Sequence, residues 1–195
     1  MAQPPVFPSP WAPPPAEPAP GLPDGLVIAG MWRRFGAYLL DRVILFVVGF
    51  GIATVMGAMG LWITRIPDSA HPFVFEFNYP AVLINTIVSL IVSAVYHVYM
   101  WTKMRATPGQ IACNLQVGDV STGNNLTLDQ ATMRWLALEA IAGLSTVFVF
   151  SAALYNLASL MIVAWVLALL ITTASHPLRR GLHDRWAGSL VVWLR

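Results

Sequence analysis

Apolar positions in this 195-residue chain fall into long blocks separated by short polar segments. One block runs over residues 36–63, residues 64–79 are polar and aromatic, and residues 80–101 are apolar again. Residues 103–134 are polar, with turn chemistry at Thr107-Pro108-Gly109 and Ser121-Thr122-Gly123-Asn124. The 41 residues Trp135–Ser175 then carry one charge, Glu139. A straight helix of that length would measure about 60 Å, twice the hydrocarbon thickness of a bilayer. Two spans with a tight turn near Ser151–Asn156 fit better. The pattern predicts an all-α integral membrane protein with four transmembrane helices, near 36–63, 80–102, 134–152 and 155–174.

Composition excludes an ordinary soluble domain: 57% of residues are hydrophobic and 10% charged, against about 25% charged in a typical globular domain. A net charge of +2 gives no basis for nucleic-acid binding, and the basic residues inform through their placement. Of the 11 Lys and Arg residues, Arg33, Arg34 and Arg42 sit at the start of the first span. Lys103, Arg105 and Arg134 lie between the second and third, and Arg179, Arg180, Arg185 and Arg195 follow the fourth. Only Arg65 falls in the first loop. Four spans put ten of the 11 on one side, which the positive-inside rule makes cytoplasmic. Three spans would break the pattern. The expectation is a multi-pass plasma-membrane protein with both termini in the cytoplasm. The N-terminus lacks the charged start and early apolar run of a signal peptide.

Residues 1–25 hold ten of the 15 prolines and read as a disordered, semi-stiff cytoplasmic tail. It suits a spacer, or a docking site for a proline-recognising protein partner. Residues 26–195 form the transmembrane domain. In the inner loop, Ile111–Val120 and the residues after Asn125 are expected to pair as a short interfacial β-hairpin. Thr127 and Gln130 fit a capping box that opens the third helix. In the other loop Phe73, Phe75, Phe77 and Tyr79 alternate, as in an aromatic belt at the outer interface.

Three blocks carry a family resemblance. Arg34-Phe35-Gly36-Ala37-Tyr38-Leu39-Leu40-Asp41 opens the first span, Thr107-Pro108-Gly109-Gln110 opens the inner loop, and Gly181-Leu182-His183-Asp184-Arg185-Trp186-Ala187-Gly188 leads into the C-terminal segment. Together they resemble the RDD family of membrane proteins over about residues 31–195. With its proline-rich tail the chain is similar to the proline-rich antigen type. The resemblance places the family arginine on Arg34 and its aspartates on Asp41 and Asp184. It implies a transport role, with cation/proton exchange proposed for some members. The chain departs from the family in the inner loop, where Gln110 replaces the usual Lys, and Asn114 and Gln116 replace a later Gly and Arg.

Candidate chemistry concentrates on the cytoplasmic side. An ionised Asp inside a span needs a partner or water. Arg34 and Asp41, seven residues apart, share a helix face, and Asp184 can return to them. The expected arrangement is an Arg34–Asp41–Asp184 cluster, which also suits a purely structural charge network. Arg42 points to another face and is expected to snorkel to the interface. Asn85, Ser89, Ser93 and His97 form a polar stripe on the second span that should face the bundle interior. Asp41, His97 and Glu139 fall at one depth. They suit a proton or cation site, while Ser and Asn at such spacing also serve interhelical hydrogen bonding. No acidic residue lies nearer the membrane centre, so a complete ion path through one protomer is not indicated. Gly49, Ala53 and Gly57 form a small-residue stripe for packing within the bundle or in a homo-oligomer. His183-Asp184 reads as cytoplasmic surface or charge network, and Cys113 as a small apolar filler.

No nucleophile–base pair, phosphate loop, metal motif or cofactor motif is present, so the chain is expected not to be an enzyme. Two functions fit: a transporter of a small ion or solute, or a membrane adaptor that recruits partners through the tail and inner loop.

Overall fold

A computed structural model describes residues 27–65 and 76–194. The proline-rich tail and the Phe73 and Phe75 positions lie outside the described residues. Among the described residues four helices are long and apolar enough to cross a membrane: Met31–Ala58, Tyr79–Met104, Leu128–Phe150 and Ala153–Ser175, numbered spans 1 to 4 in chain order. Their apolar faces point outward. Phe46, Phe50, Leu160 and Met161 are each about two-thirds exposed or more, as side chains facing lipid would be.

Helix α1 (Met31–Ala58) starts five residues earlier than the apolar pattern indicates, from Gly30 as N-cap. Two arginines in that first turn and a half are tied to protein: Arg33 lies over the Trp193 ring, and Arg34 donates to Asp184. At its far end Gly60, at φ 85°, reverses the chain. Trp62 then folds back onto Gly57, where an added Cβ would come within 2.9 Å of its ring. Gly57 is therefore used for packing inside the chain. Short strands β2 (Thr64–Arg65) and β3 (Glu76–Phe77) pair before α2 (Tyr79–Tyr99).

Span 2 ends in a π-helical turn, Met100–Met104. Span 3 is irregular throughout. It comprises α4 (Leu128–Trp135), a π turn (Leu136–Ala140), α5 (Ile141–Leu144) and a 3₁₀ stretch (Ser145–Phe150). Its α4 opens with the expected capping box of Thr127 and Gln130. The break between spans 3 and 4 falls at Ser151, in extended conformation ahead of α6 (Ala152–Ser175).

The inner-loop hairpin is the clearest correction. Ile111 belongs to a short helix, α3 (Pro108–Ala112), and only β4 (Leu115–Asp119) is a strand. The turn after it closes, with Gly123 N–H donating to the Asp119 carbonyl. The chain then enters the N-cap of α4 within a few residues and has no room for a second strand. The partner is instead β5 (Ser189–Trp193), antiparallel, beyond α7 (Leu182–Trp186). Strand β1 (Val27–Ile28) pairs with the other edge of β5, giving the order β1-β5-β4. Strands from before span 1, between spans 2 and 3, and after span 4 thus share one sheet. Both ends of the described chain and the inner loop lie at the same end of the bundle.

This sheet end has its own core. Ala29, Ala37, Trp101, Leu115, Val117, Leu126, Ala131 and Val191 are all buried together. Within the spans, lipid covers apolar side chains about as well as protein does. At the sheet end water is the competitor, so each buried Leu or Val there contributes about 1.5–3 kcal/mol.

Candidate functional site

The expected Arg34–Asp41–Asp184 cluster is two separate nodes. At the first, Asp184 on α7 is fully buried, not surface. Arg34 Nη1 donates to its Oδ2 at 3.0 Å, and Arg134 Nη1 and the Ser189 hydroxyl serve Oδ1. Arg34 also donates to the carbonyls of Ala29 and Val191. One guanidinium thus holds the residue after β1, strand β5 and α7 to the start of span 1. Arg134 is itself buried, with its guanidinium 4.9 Å from the centre of the Trp101 ring. Burial alone would push the Asp184 carboxyl up. The charges of Arg134 and Arg34 outweigh it and hold the group below the usual carboxylate range. Burial pushes neighbouring His183 down to about 4, with Asp184 opposing and the two arginines adding to the shift. Sequence reasoning missed Arg134 as a partner and counted it only as a loop charge.

At the second node Asp41 meets neutral donors only. The Tyr96 hydroxyl donates to Oδ1 at 2.6 Å, the Thr107 hydroxyl to Oδ2 at 2.5 Å and the Gly109 N–H to Oδ1 at 2.9 Å. These bonds dock α3 on span 1. The approach is so close that a Cβ on Gly109 would lie 2.3 Å from the Ala37 carbonyl oxygen and 2.8 Å from Asp41 Cγ. Gln110 closes a capping box with Thr107 and accepts from the Trp101 indole at 3.1 Å. A lysine could not accept either bond, so the loop's departure from the family pattern supplies a local tie. Asn114 likewise sits at φ 55°, a conformation that Gly and Asn tolerate best.

Arg42 does not snorkel away. Its Nη2 pairs with Glu139 Oε2, and its guanidinium lies 4.7 Å from the centre of the Tyr38 ring. Glu139 sits on the π turn of span 3, where backbone irregularity often accompanies function. Trp165 of span 4 donates to the carbonyl of Ala137 in the same turn at 2.8 Å.

Glu139 lines two cavities. The larger, about 520 Å³, runs between spans 1, 2 and 3 from Ile63, Phe77 and Tyr155 at the far end to Arg42 and Glu139. Three members of the polar stripe, Asn85, Ser89 and Ser93, line this cavity, with Thr86 and Thr146 bonded to each other at 2.8 Å, while His97 lines the smaller one. Gly49 lines it too. Ser93 accepts from the Trp135 indole, tying the stripe to span 3. The smaller cavity, about 170 Å³, lies toward the sheet end. Asp41, His97 and Glu139 all line it, beside Arg34, Arg134 and His183. His97 Nδ1 is 3.0 Å from the Ser93 carbonyl, which puts a ring proton on that nitrogen. Among the described residues no group of three metal-ligating side chains forms.

Four candidate spans, with their ends tied at one side by buried arginine–aspartate pairs, define a polytopic membrane protein. The sequence profile of the RDD family matches residues 28–188. The chain belongs to that family. No curated protein matches it.

Proposed function

We propose that this protein moves a small ion or solute across the bilayer through its own bundle, with the sheet end in the cytoplasm. The observation that carries this reading is the position of Glu139. It lines both the polar-walled cavity between the spans and the smaller cavity toward the sheet end. The path lacking in the sequence is supplied by neutral groups, Asn85, Ser89 and Ser93, rather than by further acids. Conduction or exchange then needs only a local change around the Arg42–Glu139 pair, on a span already built from π and 3₁₀ turns.

Simple exchange of a cation at Glu139 is the less favoured form of transport, because a guanidinium that never deprotonates already neutralises this carboxylate. The test is tracer uptake into sealed vesicles holding purified protein. Ser89→Trp fills the cavity without touching either charge node. It should reduce uptake by about tenfold or more, equivalent to about 1.4 kcal/mol on the limiting barrier. Uptake by the Ser89→Trp protein at the wild-type rate would remove the cavity from the route.

A further inference from the structure

The larger cavity ends on a pair of opposite charges, and each member of the pair has a free valence. Glu139 is only 5% exposed, and its Oε1 has no hydrogen-bond partner among the described residues. The Arg42 Nε is likewise unpartnered among them. Apart from these two, every described residue lining the cavity is uncharged. Leu45, Ile52, Leu90 and Val149 supply apolar wall, and the stripe supplies neutral polar wall. Its volume falls within the usual range for sites that enclose a small molecule.

These features select a ligand by charge. With Arg42 fixed as a cation and Glu139 beside it, the floor is neutral. A lone cation or anion placed there leaves uncompensated charge in a low-dielectric bundle. A molecule with both signs leaves none, and gives each free group a partner. We propose that this cavity binds a small zwitterion of the neutral α-amino acid class. Its carboxylate sits on Arg42, its ammonium on Glu139 Oε1, and its side chain lies along the apolar wall. The two pairs then alternate in sign around one array. This inference deepens the transport reading and rests on it for the direction of entry.

Calorimetric titration of purified wild-type protein in mild detergent tests the proposal. Leucine and alanine are compared with the single-charge analogues of leucine, isoamylamine and 4-methylpentanoate. At least one of the two amino acids should bind, and leucine, if it is that one, about tenfold or more tightly than either analogue. If alanine alone binds, its analogues ethylamine and propionate take the same role. Glu139→Gln should remove the preference over the acid, and Arg42→Gln the preference over the amine. Binding of neither amino acid, or equal binding of a single-charge analogue, overturns the proposal without any variant. Folded variants that bind like wild type overturn it as well. Uptake of labelled leucine or alanine into vesicles separates the two readings. Binding without uptake sinks transport and leaves the site. Uptake of another solute with no amino-acid binding sinks the site and leaves transport.

Discussion

Replacing Asp184 by Asn keeps the shape of the side chain and removes its charge. Arg134 then loses its only anionic partner among the described residues, in a site where it is 3% exposed, retaining the Ser189 hydroxyl and the Trp101 face. Arg34 is better placed, since its Nε and Nη2 keep the carbonyls of Ala29 and Val191, and its side chain is 13% exposed. Breaking one buried ion pair typically costs about 3–5 kcal/mol, chiefly because a charge is left uncompensated. The Arg134 pair sets this scale, and the Arg34 pair adds less. Against a typical total stability of about 5–15 kcal/mol, the loss should appear as a marked drop in monodisperse protein in mild detergent and in the denaturant midpoint. If the stranded charge is the cause, removing it should help: Asp184→Asn with Arg134→Met should recover a substantial part of the loss. A cost below about 1 kcal/mol for Asp184→Asn, or losses in the double variant that simply add, would refute this account of the node.

Other consequences are as specific. Gly109→Ala drives a methyl into the Ala37 carbonyl and Asp41, so α3 must lift. About 1–3 kcal/mol for overpacking and about 1 kcal/mol for the lost Gly109–Asp41 bond should appear in the same unfolding assay. Asn114→Gly should fold as well as wild type, while Asn114→Ala should cost about 1–2 kcal/mol for its left-handed backbone. His183 has its folded pKa, about 4, below its ordinary 6.5. The unfolded chain therefore takes up a proton first, and stability is present above about pH 6.5 and lost as pH falls toward 4. The denaturation midpoint should drop across that window, and His183→Gln should flatten the drop; an unchanged slope would show that His183 is not held neutral.

Much of this architecture is legible in the chain because it is local. The apolar blocks give four spans, the Thr127–Gln130 box gives the start of the third, and one helix too long for a bilayer requires the break found at Ser151. The one-sided basic residues agree with a sheet that gathers both ends of the described chain. What the sequence hid is non-local. Strand β4 pairs with a segment about 70 residues later, and a strand pattern says nothing of its partner at that distance. Helix periodicity placed Arg34 and Asp41 on one face, but a shared face is not a contact: each reaches a different element. Arg42 and Arg134 read as interface charges because their partners, Glu139 and Asp184, lie on other helices. The available clue was numerical. Neutral donors satisfy Asp41, but Asp184 and Glu139 take arginines, and Arg34 alone was too few for both.

The proposed route for solute runs through the cavity that Glu139 lines. Tracer uptake into sealed vesicles, compared between wild type and Ser89→Trp at equal reconstitution, tests it most directly. Gradient-driven uptake by wild type and its loss in Ser89→Trp are the expected results. Vesicles carrying folded wild-type protein that take up neither amino acids nor monovalent cations faster than protein-free vesicles would contradict it.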